Sequence, residues 1–116
     1  MYTSHELNKE FIARIKGLDD YNQLLEERLV TSAQAKHDYR KAKAMSYPNT
    51  TGTVDDRKAQ VDIMCEGERL SAYLADALAR AAVESVRCAR EQLNALQSVG
   101  ATMRAEMALA KQGPGP

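Results

Sequence analysis

Two long stretches of helical patterning, interrupted by one turn-rich segment between Tyr47 and Thr53, constrain this chain more than any other feature. The first stretch starts near Thr3 or Ser4, where Ser4 offers a cap ahead of Leu7 and Phe11. An apolar stripe then continues through Ile15, Leu18, Tyr21 or Leu25, and Leu29 at helical spacing. Gly17 lies inside that stripe; a mid-helix glycine costs about 1 kcal/mol relative to alanine, so it marks either a close helix contact, the preferred reading, or a slight bend. Beyond Val30 the stripe thins to Ala33, Ala35, Ala42 and Ala44, and Pro48 ends the helix by disfavouring helical geometry at Tyr47. The connector Pro48-Asn49-Thr50-Thr51-Gly52 consists of turn formers. Thr53, with Asp56 three residues on, then opens a second helix and sets acidic charge at its positive end.

The second stretch carries the stronger period. Steps of four and three lead from Val61 through Cys65, Glu68, Ala72, Ala75, Ala79, Ala82, Val86, Ala89, Leu93, Leu96, Gly100 and Met103 to Met107. The middle of this seam is almost entirely alanine. Small side chains let two helix backbones approach closely, so Val61, Ala72, Ala75, Ala79, Ala82, Val86, Ala89, Leu93 and Leu96 are expected to form a tight antiparallel or interchain contact. A neighbouring stripe of Ile63, Leu70, Leu74, Ala77, Leu78 and Ala81 widens the apolar arc beyond what one partner helix covers. At 1.5 Å per residue the two helices would run to about 60 and 80 Å, too extended for a compact monomer of this mass.

The expected fold is therefore all-α: a long antiparallel helical hairpin that assembles into an oligomeric helical bundle. Its organisation over 1–116 is a single domain with a helix at 4–46, a turn at 47–53, a helix at 54–110 and a disordered tail at 111–116, where Gly113-Pro114-Gly115-Pro116 halts the helix. Whether the second helix stays continuous through Gly67 and Gly100 is left open by the pattern.

Composition narrows the classes of function. With 16 basic and 16 acidic residues the formal charge is zero, so attraction to nucleic acid or an anionic surface must come from a local patch. One Phe and no Trp in a chain that is 44% hydrophobic leave a thin apolar content suited to close-packed helices. No segment reaches the roughly 18 apolar residues of a membrane span, and the start of the chain lacks a signal-peptide core, so no membrane contact and a cytoplasmic location are expected. Cys65 and Cys88, on the order of 35 Å apart along one helix, cannot pair within it.

The most suggestive chemistry clusters at the elbow. Lys36, Tyr39, Arg40, Lys41 and Lys43 end the first helix, together with His37 and Tyr47, and Arg57 and Lys58 open the second. Cations interleaved with tyrosines suit phosphate contact with base stacking. Basic residues in the last turns of a helix also complement its dipole, which is the plainer account of the same residues. The acidic group Asp19, Asp20, Glu26 and Glu27 lacks a further ligand at metal-binding spacing, and His5 and His37 form no motif, so no metal and no cofactor are expected.

Two families bear a likeness to parts of the sequence. Ile15, Leu18, Asp19, Leu24, Leu25 and Arg28, with Lys36 and Arg57, loosely resemble the opening helix of helical chorismate mutases, but the spacings differ and the later polar residues make no matching arrangement. No catalytic residues are assigned on that basis. Tyr39-Arg40-Lys41-Ala42-Lys43, the turn, Gly52-Thr53-Val54-Asp55-Asp56-Arg57-Lys58-Ala59, the Ala-rich helix, and Leu93-x-x-Leu96-Gln97-Ser98 through Arg104-x-Glu106 resemble small all-helical accessory proteins of tailed bacteriophages. That resemblance covers residues 36 to 107 and implies a non-enzymatic role beside replication or recombination functions, in the host cytoplasm. The expected function is a self-associating accessory protein that contacts single-stranded nucleic acid, or a nucleic-acid-processing protein, through the basic elbow. Two alternatives remain: a protein-protein inhibitor or assembly factor acting through its helical flank, and a binder of small phosphorylated ligands between protomers.

Overall fold

The computed structural model describes residues 2–112. Three α-helices account for nearly all of them: α1 (Ser4–Ser46), α2 (Val54–Met64) and α3 (Glu66–Gln112), with a single 3-10 turn at Tyr47–Asn49. No strand occurs among the described residues. α3 runs past Ala110 to Gln112, two residues beyond the expected end, and the tail expected at 113–116 lies outside the described residues.

Local chemistry fixes the element boundaries. Thr3, rather than Ser4, caps α1: the Glu6 amide donates to Thr3 Oγ1 at 3.1 Å while the Thr3 amide donates to Glu6 Oε2 at 3.0 Å. These reciprocal bonds satisfy two of the donors a helix start leaves open. At the elbow, Thr50 is buried and donates its hydroxyl to the Tyr47 carbonyl at 2.6 Å, closing the 3-10 turn. Gln60 then clasps Thr51, donating to its carbonyl at 2.7 Å and accepting from its amide at 3.3 Å. Gly52 has φ 107°, a left-handed conformation, and a Cβ there would lie 3.1 Å from the Cβ of Asp56. Thr53 and Asp56 form a second capping box, so the charge of Asp56 sits on the α2 N-terminus.

The second helical stretch is divided at Cys65, not at either glycine. Cys65 takes φ −108° and ψ 23°, yet its amide still reaches the Val61 carbonyl at 2.9 Å and its own carbonyl accepts from Arg69 at 2.9 Å. The deviation is thus confined to one residue. α3 continues through both Gly67 and Gly100.

The chain forms two compact units, one from Gln23–Val83 and one from Met1–Asn22 with Glu84–Pro116. In the first, α1 and α3 run in opposite directions, as Ser46 meets Cys65 and Lys36 meets Asp76. The buried positions are Ser32 from α1, Thr50 at the elbow, Val61 and Cys65, and Ala72, Ala75, Ala79 and Ala82 from α3. Half-buried Arg28, Ala35, Tyr39, Ala42 and Ser46 continue the inner face of α1 at the same spacing of three and four. The face that fades as an apolar stripe after Val30 therefore persists as small and polar residues. Because the opposing face is alanine, a serine or alanine across from it fills the space that leucine fills in an ordinary helix pair.

In the other unit Leu7, Val86, Ala89, Leu96 and Gly100 are buried, with Phe11, Leu18, Leu93 and Met103 half-buried. Gly100 makes the close approach that was expected at Gly17. A Cβ on Gly100 would lie 3.4 Å from Leu7 and 3.6 Å from Phe11, whereas one on Gly17 meets nothing within 4 Å. The stripe on α1 also departs from its apolar reading. Ile15 is exposed, while Arg14 turns inward to donate to Gln92 at 2.6 Å and to pair with Glu10 at 2.9 Å. Glu68 and Met107, both placed on the expected seam, are exposed. The remaining seam residues, Val61 through Leu96, bury their side chains or most of them within a single chain, so the seam is already closed before any second copy arrives.

Two measurements test this packing. Ala79→Leu should overpack the alanine seam and lower stability by roughly 1–3 kcal/mol in thermal or denaturant unfolding; an unchanged midpoint would mean that the seam has room. The glycines should divide by environment: Gly17→Ala, in a helix with open space around it, should stabilise by about 0.4–1 kcal/mol, whereas Gly52→Ala should destabilise, since φ is positive and the Asp56 side chain is in the way.

Candidate nucleic-acid interface

Small side chains bring α1 and α3 close, and the longer residues at the edge of their contact then wall an open groove. Within the Gln23–Val83 unit one such groove, about 380 Å³, is lined by Lys36, Tyr39, Arg40 and Lys43 from α1 and by Ala72, Tyr73, Asp76 and Arg80 from α3. Lys36, Arg40 and Lys43 recur at steps of four and three, which places them on one stripe of α1. Four cations there face a single carboxylate.

Asp76 organises two of them. Its Oδ1 lies 3.0 Å from Lys36 Nζ and its Oδ2 lies 2.9 Å from Arg80 Nε. The Lys36 hydrogen bond is the main reason its carboxyl is held below the usual range; partial burial opposes that shift and the nearby Arg80 charge reinforces it. Since the folded carboxyl has the lower pKa, the contribution of this triad is complete above the ordinary carboxylate range and is lost as pH falls through the folded value. Lys43 sits over the ring of Tyr39, 4.4 Å from its centroid. Burial, with Asp62 nearby, raises the Tyr39 phenol, which keeps its proton available for donation. Two neighbouring hollows share its wall residues, one lined also by Leu29, Ser32 and Val83 and the other, between α1 and α2, by Lys43 with Tyr47, Lys58 and Asp62.

The elbow residues therefore separate into groups. Lys36, Tyr39, Arg40 and Lys43 share this groove, and Lys58 lines the neighbouring hollow with Lys43. Lys41 is exposed and lines none of these walls. Arg57 is half-buried: its guanidinium stands 5.5 Å from the centroid of Tyr47, and its Nε is enclosed without a hydrogen-bond partner.

Tyr73, Asp76 and Arg80 complete the groove and were not expected in it. Their signal lay in the register, because an antiparallel pair with Ser46 beside Cys65 sets Lys36, ten residues back, beside the residue ten further on, next to Asp76. Among the described residues no group of three His, Cys, Asp or Glu side chains could hold a metal ion. Neither is any helix among them long and apolar enough to cross a membrane. Comparison with family models, with curated proteins and with solved structures finds no match to this chain.

Proposed function

We propose that this protein is a non-enzymatic, self-associating helical hairpin of the phage accessory type, and that it binds single-stranded nucleic acid along the groove between α1 and α3. The observation that carries this reading is the convergence of Lys36, Arg40, Lys43 and Arg80 with Tyr39 and Tyr73 around one carboxylate. Phosphates engage the cations and release counterions, while the exposed face of Tyr73 offers a base a stacking surface. Asp76 holds Lys36 and Arg80 in position in the free protein and excludes a phosphate from the point between them. Cations spaced along one stripe of α1 suit the successive phosphates of a strand better than a single compact ligand, which favours a strand over the small phosphorylated molecule as the occupant.

The test is fluorescence anisotropy with short single-stranded DNA and RNA at several salt concentrations. The four cations less the one charge of Asp76 leave a net three, each contributing about −0.7, so the expected slope of log affinity on log salt is about −2. Charge reversal at Arg40 or Arg80 should weaken binding strongly, whereas Lys41→Glu, away from the groove, should have the smaller effect. Tyr73→Ala should cost about 1–3 kcal/mol if a base stacks there. Absence of binding at low salt, or equal effects of Lys41 and Arg40 reversal, would move the function to the helical flank and a protein partner.

A further inference from the structure

A second apolar stripe runs along α3 outside the alanine seam. Ile63 on α2, then Gly67, Leu70, Leu74, Ala77 and Ala81 on α3, follow one another at steps of four and three. Ile63 is 76% exposed and Leu70 and Leu74 are each 56% exposed, so the seam inside the chain leaves this stripe uncovered. Met64 and Leu78 extend it along one edge, and Glu66, Tyr73 and Arg80 form the other.

We infer that this stripe is a self-complementary interface on which a second copy of the chain docks antiparallel, about a two-fold axis near residue 72. The inference rests on the self-association proposed above and supplies its contact surface. The charges on the edge select the partner. With the helices antiparallel, Leu70 lies across from Leu74 of the second copy, Gly67 across from Ala77, and Ile63 across from Ala81. In the same antiparallel packing the flanking residues pair with a two-residue stagger, which sets Glu66 alongside Arg80 of the second copy, and symmetry repeats the pair, so one dimer gains two opposite-charge contacts on the edge where coiled-coil partners are chosen. Tyr73 meets its own copy between them, so docking of the second copy and stacking of a base compete for the same ring. On the other edge Met64 faces Leu78, both exposed in the single chain. A parallel arrangement loses this match, because it sets Glu66 against Ser71. Arg80 can serve the contact while it remains on Asp76: the ion pair uses its Nε, and the side chain is 82% exposed. The Gly67 and Ala77 layers let the backbones close around the central leucines, as a Cβ on Gly67 meets nothing within 4 Å in the isolated chain.

Sedimentation equilibrium on the full chain tests the inference, with circular dichroism to confirm that each variant stays helical. The native chain should be a dimer, and Leu74→Glu should be monomeric with unchanged helicity, since that side chain faces solvent in one chain. Glu66→Arg and Arg80→Glu should each raise the dissociation constant at least tenfold, and the two together should restore it. A native chain that stays monomeric would overturn both this interface and the self-association it rests on. Association that survives Leu74→Glu would overturn the interface alone, and so would failure of the double charge exchange to rescue the dimer.

Discussion

Everything in the Gln23–Val83 unit depends on how closely two helix backbones can approach across alanine. Ala72, Ala75, Ala79 and Ala82 present almost no side chain beyond Cβ, and α1 answers with Ser32, Ala35, Ala42 and Ser46. Each such contact buries little area, and at about 25 cal/mol per Å² it contributes little by itself. Stability of this kind comes from repetition and from tight backbone approach. It leaves little room for a bulky side chain opposite the four alanines, and Leu29, Val30, Leu70 and Leu74 lie outside the contact.

The displaced residues account for the chemistry of the surface. Where the seam is narrow, long side chains at its margin reach across it, and Lys36 on α1 meets Asp76 on α3 for that reason. The groove is thus a direct result of small residues in the middle and long charged ones at the edge. The same exclusion puts Ile63, Leu70 and Leu74 on the outer face. One packing choice supplies both a polar margin and an apolar exterior.

The all-helical class is legible in the sequence because residue spacing and turn chemistry agree along its length. Pro48, Gly52 and the pair Thr53 and Asp56 each have a local physical role that a reader can assign without coordinates, and the capping box is present as its residues imply. The inward face of α1 is less legible. A search for apolar residues favours Ile15 over Arg14, yet the arginine reaches a glutamine across the helix pair and the isoleucine faces out. The partner face there is Val86, Ala89, Leu93 and Leu96, and a hydrogen-bonded arginine at its margin carries no hydrophobic signal. The interruption at Cys65 has no local signal either, as neither proline nor glycine occupies that position. The half of the groove contributed by α3 needs the pairing register, a long-range property that no single window of sequence contains.

The two cysteines differ in a way that has a kinetic consequence. Cys88 is exposed, whereas Cys65 is 1% exposed with its sulfur 3.4 Å from the Ser46 hydroxyl, at the joint between α2 and α3. A thiol reagent reaches Cys88 in the native state but must wait for the elbow to open before it reaches Cys65. The slower of the two labelling phases therefore clocks the opening of the joint itself, and with Cys88 replaced by serine the native sequence becomes a single-site reporter of how often the helices part there.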